Sequence, residues 1–281
     1  MTILDCTVGY GGHAERILEC SHPRTRLIGL DRDPEAIDFC RRRLVRFGGR
    51  AVLATGNHRD LKRHLTEVGV STVDGVLFDL GVSSPQLADP ARGFSFLQDG
   101  PLDMRMDQTH GITAAELVNS NQEDRLAAII FQYGEERYAR RIARAIVRER
   151  ARYPIETTHA LASIIAKSVP SSYRNGRIHC ATRTFQALRI AVNHELETLE
   201  PSLRDAVDVL SPGGRICAIS FHSLEDRIVK HTFRALARGA EATLSTLAKK
   251  PVLPSEEERR ANPRARSAKL RVAERLPQRM M

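Results

Sequence analysis

A chain of 281 residues with 43 Lys and Arg against 34 Asp and Glu carries a formal charge of +9. It is large enough to bury roughly three quarters of its unfolded surface and basic enough to meet an anionic partner such as nucleic acid. At 42% apolar and 27% charged residues it is not a disordered chain, and no uncharged apolar run approaches the ~20 residues that span a bilayer.

Ile3–Thr7 is a short apolar run that enters a glycine cluster, Gly9, Gly11 and Gly12, and a helical pattern follows to Cys20. Arg26–Leu30 predicts a second strand, ending at Asp31. Asp33-Pro34 has the form of an N-cap with proline at the first helical position, opening a helix over Glu35–Arg46. Ala51–Ala54 predicts a third strand. Val73–Phe78 predicts a fourth, apolar enough to be buried on both faces. Strands alternating with helices in this way predict a parallel α/β sheet. The cadence breaks after Gln86, and from about Arg92 to about Arg189 the patterns are helical with no strand. A helix over Phe185–Val209, a Ser211-Pro212-Gly213-Gly214 turn, a strand over Arg215–Phe221 and a helix over Leu224–Arg238 come next. Glu256–Arg266 is charged and reads as irregular. Ala268, Leu270 and Val272 alternate with Lys269 and Arg271, which predicts a half-exposed last strand. The expected organisation is a discontinuous sheet domain, 1–91 and 190–281, interrupted by a helical domain over 92–189.

Asp5 follows Met1 too closely for a secretory leader. The five cysteines (Cys6, Cys20, Cys40, Cys180, Cys217) are scattered and form no C-x-x-C pair, so neither a zinc site nor a disulfide framework is expected. These features predict a reduced, cytoplasmic protein without a metal.

A strand running into Gly9-Tyr10-Gly11-Gly12 and then a helix lets backbone approach a ligand closely, with free N–H groups at the helix start. Asp31, twenty positions after Gly11, ends the next strand, where a carboxylate can accept hydrogen bonds from both hydroxyls of a ribose. Gly9-x-Gly11-x-x-Ala14 with Asp31 also fits a dinucleotide fingerprint, so the glycines alone do not separate NAD from S-adenosylmethionine. Two features favour the latter. The Pro212-Gly213-Gly214 turn leads into the fifth strand as in Rossmann-like methyltransferases, and the fourth strand ends in Asp79 followed by Leu80-Gly81-Val82-Ser83-Ser84-Pro85-Gln86. Asp31, His58 and Asp79 each follow a strand, so they can line one crevice at the strands' C-terminal ends.

Asp79–Gln86 (DLGVSSPQ), Arg92–Phe96 (RGFSF), Asp99–Asp107 (DGPLDMRMD), Tyr133–Arg137 (YGEER), Ala181–Leu188 (ATRTFQAL), Ile219–Val229 (ISFHSLEDRIV) and Asn262–Arg266 (NPRAR) resemble the MraW (RsmH) family. The likeness runs from Asp5 to about Arg275. It implies an S-adenosylmethionine-dependent methyltransferase of 16S (small-subunit) ribosomal RNA, acting on the exocyclic 4-amino group of a decoding-centre cytosine. It also implies a Rossmann-like sheet with an inserted helical, RNA-recognising domain. The family's cofactor contacts fall on Gly11, Gly12, His13, Asp31, His58, Asp79 and Gln86. Two departures stand out. Family members usually carry phenylalanine where His58 stands, and they usually begin with about twenty more residues.

Cytosine's amino lone pair is delocalised into its ring, so an acceptor near the N–H groups is needed and a proton must leave. The Pro-Pro-aromatic string of many amino-methyltransferases is missing after Asp79. Asp79 is the first candidate acceptor, with Asp103 and His222 next, the last two also reading as a turn carboxylate and a strand-end histidine. Phe94 and Phe96 read as loop anchors. Glu135–Arg150 predicts a helix on which Arg137, Arg141, Arg144 and Arg148 share one face, opposite Ile142 and Ile146. That stripe is either a solvated face or a rail for RNA phosphates. Two other functions remain open from sequence. One is an NAD-dependent oxidoreductase, for which no Tyr–Lys hydride-transfer pair is recognisable. The other is a non-catalytic RNA-binding or ribosome-assembly protein.

Overall fold

The computed structural model describes residues 1–277. Its strands are β1 (Thr2–Asp5), β2 (Arg26–Asp31), β3 (Ala51–Thr55), β4 (Val73–Asp79), β5 (Leu210–Ser220), β6 (Leu244–Thr246) and β7 (Lys269–Arg275). The helices are α1 (Gly12–Cys20), α2 (Pro34–Leu44), α3 (Leu61–Glu67), α4 (Ser84–Ala88), α5 (Ala114–Ser120), α6 (Glu123–Gly134), α7 (Ala139–Arg150), α8 (Thr158–Ser168), α9 (Ser171–Arg174), α10 (Thr182–Asn193), α11 (Glu195–Asp208), α12 (Ser223–Leu236) and α13 (Glu256–Ala261). None is long and apolar enough to cross a membrane among the described residues.

The chain forms two compact units, Met1–Gly81 with Leu196–Met281, and Val82–Glu195. The second unit thus starts ten residues before the insertion read from sequence and ends six after it. All seven strands lie in the first unit as one sheet, in the order β3-β2-β1-β4-β5-β7-β6. β1 pairs in parallel with both β2 and β4, β2 with β3, and β4 with β5. The four residues Leu27–Leu30 of β2 are all buried, as a strand covered on both faces requires. β7 runs antiparallel to β5 and to β6. A dinucleotide-binding sheet would instead continue in parallel from β5 to a sixth strand, so the edge speaks against the NAD reading.

Local signals act as expected in several places. Asp33 caps α2 by accepting a hydrogen bond from the Glu35 N–H at 3.0 Å, with proline inside the first turn. Gly11 is the α1 N-cap with φ 81°, a left-handed conformation that a side chain resists, and a β-carbon there would lie 2.8 Å from the Cys40 sulfur. Other readings need correction. The helix expected over Phe185–Val209 is two helices, separated at His194 with φ 51°. β5 begins at Leu210, before the glycine turn rather than after it. The turn bulges out of the strand, since Val73 pairs with Leu210 but Gly75 with Arg215. Glu256–Ala261 is helical, with the Ser255 hydroxyl accepting from the Glu258 N–H. β6, three residues long, escaped the sequence reading because it is too short to show alternation.

The second unit is helical, its core formed by residues such as Ile130, Ile142, Ile146, Leu161, Phe185 and Leu188. Buried Asn193 pins the loop after Asp103. Its Oδ1 accepts from the Met106 N–H at 2.9 Å and its Nδ2 donates to the Met104 carbonyl at 2.7 Å. Phe94 is buried, and Phe96 packs edge-on against Phe185, so both are loop anchors.

Candidate active site

β1 is the point where the strand order reverses, and open α/β sheets take ligands at the C-terminal ends of strands there. Three carboxylates meet at these ends. Asp31, last in β2, accepts hydrogen bonds from the Gly9 N–H at 2.8 Å and the Asp33 N–H at 2.9 Å, so both its oxygens are oriented by backbone. Burial pushes its pKa up to about 6. Asp79, last in β4, takes the Nε2 of His13 at 3.2 Å on Oδ2, while its Oδ1 is buried without a hydrogen bond. Its backbone N–H donates to the Thr7 hydroxyl at 2.6 Å. His13 sits in the first turn of α1, half exposed, and the hydrogen bond to Asp79 holds its pKa above the ordinary imidazole value.

The third carboxylate, Asp5, was not singled out from sequence. It ends β1, is 1% exposed, and accepts the Thr7 N–H at 3.1 Å on Oδ1, with Oδ2 buried and unpartnered. Burial drives its pKa to about 7, with the charges of Asp79 and Asp31 adding to the rise and that of His13 opposing it. The available signal was an acid closing an apolar strand immediately before the glycine turn. Two unpartnered carboxylate oxygens and a helix start thus surround a backbone turn in which a β-carbon on Gly12 would meet nothing within 4 Å. Such a set suits a ligand with ribose hydroxyls and positive charge.

His58 lies three residues beyond β3 and is partly buried. Its Nδ1 is 2.8 Å from the Ser202 hydroxyl of α11, and its ring packs edge-on to Phe78 with centroids 5.6 Å apart. Burial, then the charge of Arg32, lowers its pKa to about 4.

A model of the MraW methylase family matches residues 1–276. The chain belongs to the MraW methylase family. It is 52% identical over 287 aligned residues to the ribosomal RNA small subunit methyltransferase H of Pelobacter propionicus, covering 97% of this chain and 92% of that protein. It is 54% identical over 273 residues to the protein of the same name from Synechococcus elongatus, covering 97% and 88%. Among solved structures, an rRNA methylase from Streptococcus thermophilus is similar with a TM-score of 0.45 and 10% identity, covering 98% and 87%. As a MraW methylase the chain is an S-adenosylmethionine-dependent methyltransferase, and the oxidoreductase reading falls.

Three residues expected to take part in the site, two of them candidate acceptors, have partners of their own. The Asp103 carboxylate is held by the Arg105 guanidinium at 2.8 and 2.9 Å and accepts the Arg105 N–H at 2.9 Å. Burial alone would raise its pKa, but these bonds outweigh it and leave the pKa below the ordinary value, as for a carboxylate that holds a turn together. His222 is the N-cap of α12. Its Nδ1 accepts from the Glu225 N–H at 3.4 Å while the Glu225 carboxylate accepts the His222 N–H at 3.3 Å, a reciprocal cap, and its Nε2 lies 3.2 Å from a Glu225 carboxylate oxygen. Gln86 caps α4 in the same manner, its Oε1 accepting the Ser83 N–H at 2.9 Å.

The arginine stripe is also revised. α7 starts at Ala139, because Glu135 ends α6 with φ 48°. Arg137 is therefore not on the helix but stacks on Tyr138 and Tyr173, 4.9 Å from each ring centre. Arg141, Arg144 and Arg148 are exposed on α7 opposite the buried Ile142 and Ile146. Arg144 pairs with Glu123 at 3.4 Å and Arg148 with Glu149 at 2.8 Å.

Proposed function

We propose that this chain transfers the methyl group of S-adenosylmethionine to the exocyclic 4-amino group of a cytosine in the decoding centre of small-subunit ribosomal RNA. The single observation that carries the chemistry is the pairing of His13 with Asp79 beside the glycine turn, which leaves one buried Asp79 oxygen unpartnered. The substrate class rests on the names of relatives about half identical over nearly the whole chain, and the target atom on the likeness of the strings from Asp79 to Arg266.

S-adenosylmethionine supplies an electrophilic methyl on a sulfonium. Asp31 would hold its ribose, since backbone N–H bonds already aim both carboxylate oxygens. The Gly11–Gly12 turn and the start of α1 would receive its amino-acid end. Asp79 divides its oxygens between two tasks. Oδ2 is held by His13, and Oδ1 accepts an N–H of the cytosine amine, freeing nitrogen lone-pair density for in-line attack. The same Oδ1 would take the proton that the methylated nitrogen sheds and pass it to solvent.

The helical unit over 82–195 would grip RNA flanking the extruded base and offset the few kcal/mol that flipping costs. Arg137, Arg141, Arg144 and Arg148 are its proposed phosphate contacts, with Arg144 and Arg148 exchanging their present carboxylate partners on binding. Incubation with tritiated S-adenosylmethionine and small subunits lacking this modification, with mass-spectrometric mapping of the product, tests the assignment. Label on a cytosine amino nitrogen is expected. Label elsewhere refutes the target, and no label with intact cofactor binding favours a non-catalytic assembly role.

A further inference from the structure

His58 stands where a ring against the cofactor's adenine is expected, yet its surroundings treat it as a polar group. The Ser202 hydroxyl lies 2.7 Å from the Thr198 carbonyl, one turn back on α11, and a carbonyl can only accept. The hydroxyl's single hydrogen is therefore spent on Thr198. In the 2.8 Å contact with His58 the serine oxygen must accept, so the imidazole Nδ1 carries the hydrogen and donates. A neutral imidazole has only one such hydrogen, and burial keeps this ring neutral, its pKa lowered to about 4. Nε2 is consequently a bare acceptor. It makes no hydrogen bond among the described residues and is not sealed from solvent.

The sheet places His58 beside the crevice. Along the order β3-β2-β1-β4, the glycine turn follows β1 and Asp31 ends β2. A ligand held with its ribose on Asp31 and its amino-acid end at the glycine turn would carry its base the other way, toward the end of β3, which His58 follows. Arg32, the residue after Asp31, is near enough for its charge to act on His58. A purine carrying a 6-amino group is a hydrogen-bond donor on that edge.

We infer that His58, locked by Ser202 with its hydrogen on Nδ1, accepts a hydrogen bond from the adenine 6-amino group through Nε2 and selects adenosyl ligands by polar contact rather than by stacking. The inference rests on S-adenosylmethionine being the ligand of this crevice. It is particular to this chain, because a phenylalanine in this position presents no acceptor.

The test is a four-way binding cycle by calorimetry. Wild type and His58→Phe are titrated with S-adenosylhomocysteine and with its analogue bearing hydrogen in place of the 6-amino group. Deleting the amino group should weaken wild-type binding about two- to tenfold, the range for one neutral hydrogen bond. It should cost His58→Phe little beyond what other groups contribute, and those contributions cancel in the ratio. An equal factor in both proteins overturns the inference and leaves His58 as a packing residue. If wild type binds neither ligand, the cofactor assignment itself fails, which is a different result. A nitrogen-15 imidazole spectrum of the folded wild type checks the tautomer without any variant. Hydrogen on Nδ1 is expected, with the Nε2 signal moving when the amino ligand binds, and hydrogen on Nε2 overturns the inference. Ser202→Ala keeps the ring but releases the lock, and should reduce wild-type discrimination toward that of His58→Phe.

Discussion

Asp5→Asn should make the ligand-free protein more stable at alkaline pH. The wild-type side chain is 1% exposed, its Oδ2 has no hydrogen bond, and its pKa is raised from 3.8 to about 7. Because the folded-state pKa lies above the unfolded one, the native state binds the extra proton between these values. Stability then falls as pH rises from about 4 through about 7 and levels off above. At 1.36 kcal/mol per pKa unit, ionising Asp5 costs up to about 4 kcal/mol. Asparagine keeps the shape and the acceptor for the Thr7 N–H but cannot ionise. The variant should match wild type near pH 4 and gain steadily to about pH 8, by up to roughly 8 °C in melting temperature. It should also bind S-adenosylmethionine more weakly, since the missing carboxylate no longer meets the cofactor's positive charge. Thermal unfolding of both proteins across pH 4–8.5, without cofactor, is the measurement. Parallel pH profiles, or a variant less stable at pH 8.5, would refute the reasoning that Asp5 is a charge held at a cost for ligand binding.

Asp31→Ala removes the proposed ribose acceptor and should weaken S-adenosylmethionine about ten- to a hundredfold, the equivalent of 1.5–3 kcal/mol; an unchanged dissociation constant by calorimetry would remove that role. Asp79→Asn should slow single-turnover methyl transfer with little change in folding, while Asp103→Asn should lower the melting temperature through loss of the Arg105 pairing and leave the rate per folded molecule intact; the reverse pattern would exchange their roles. Alanine at Arg141, Arg144 and Arg148 should weaken RNA binding and make it less salt-dependent, each lost phosphate contact flattening the log–log slope by about 0.7–0.9. Unaltered affinity and slope across a salt series would leave α7 as solvated surface.

The sequence by itself determined the parts of this protein whose physics is local. Glycine at Gly11 announces a left-handed cap, Asp33-Pro34 a helix start, and the apolar run Val73–Phe78 a buried strand, because turn geometry, capping and two-faced burial each leave a mark within a few residues. The family, too, was legible in contiguous strings. What only the tertiary structure decided is which polar groups are already satisfied. Asp79, Asp103 and His222 were all candidates on paper, with Asp79 first by position alone. Packing leaves Asp79 with a free oxygen, closes a guanidinium over Asp103 and turns His222 into a helix cap. The arginine stripe failed at Arg137 because one left-handed residue, Glu135, ends α6, a break no periodicity reveals. Asp5 and the Ser202 lock on His58 were invisible for the same reason. Their significance lies in desolvation and in partners as far as 144 residues away in sequence, and a hydrogen bond is assigned to one atom rather than another only when the chain has closed around it.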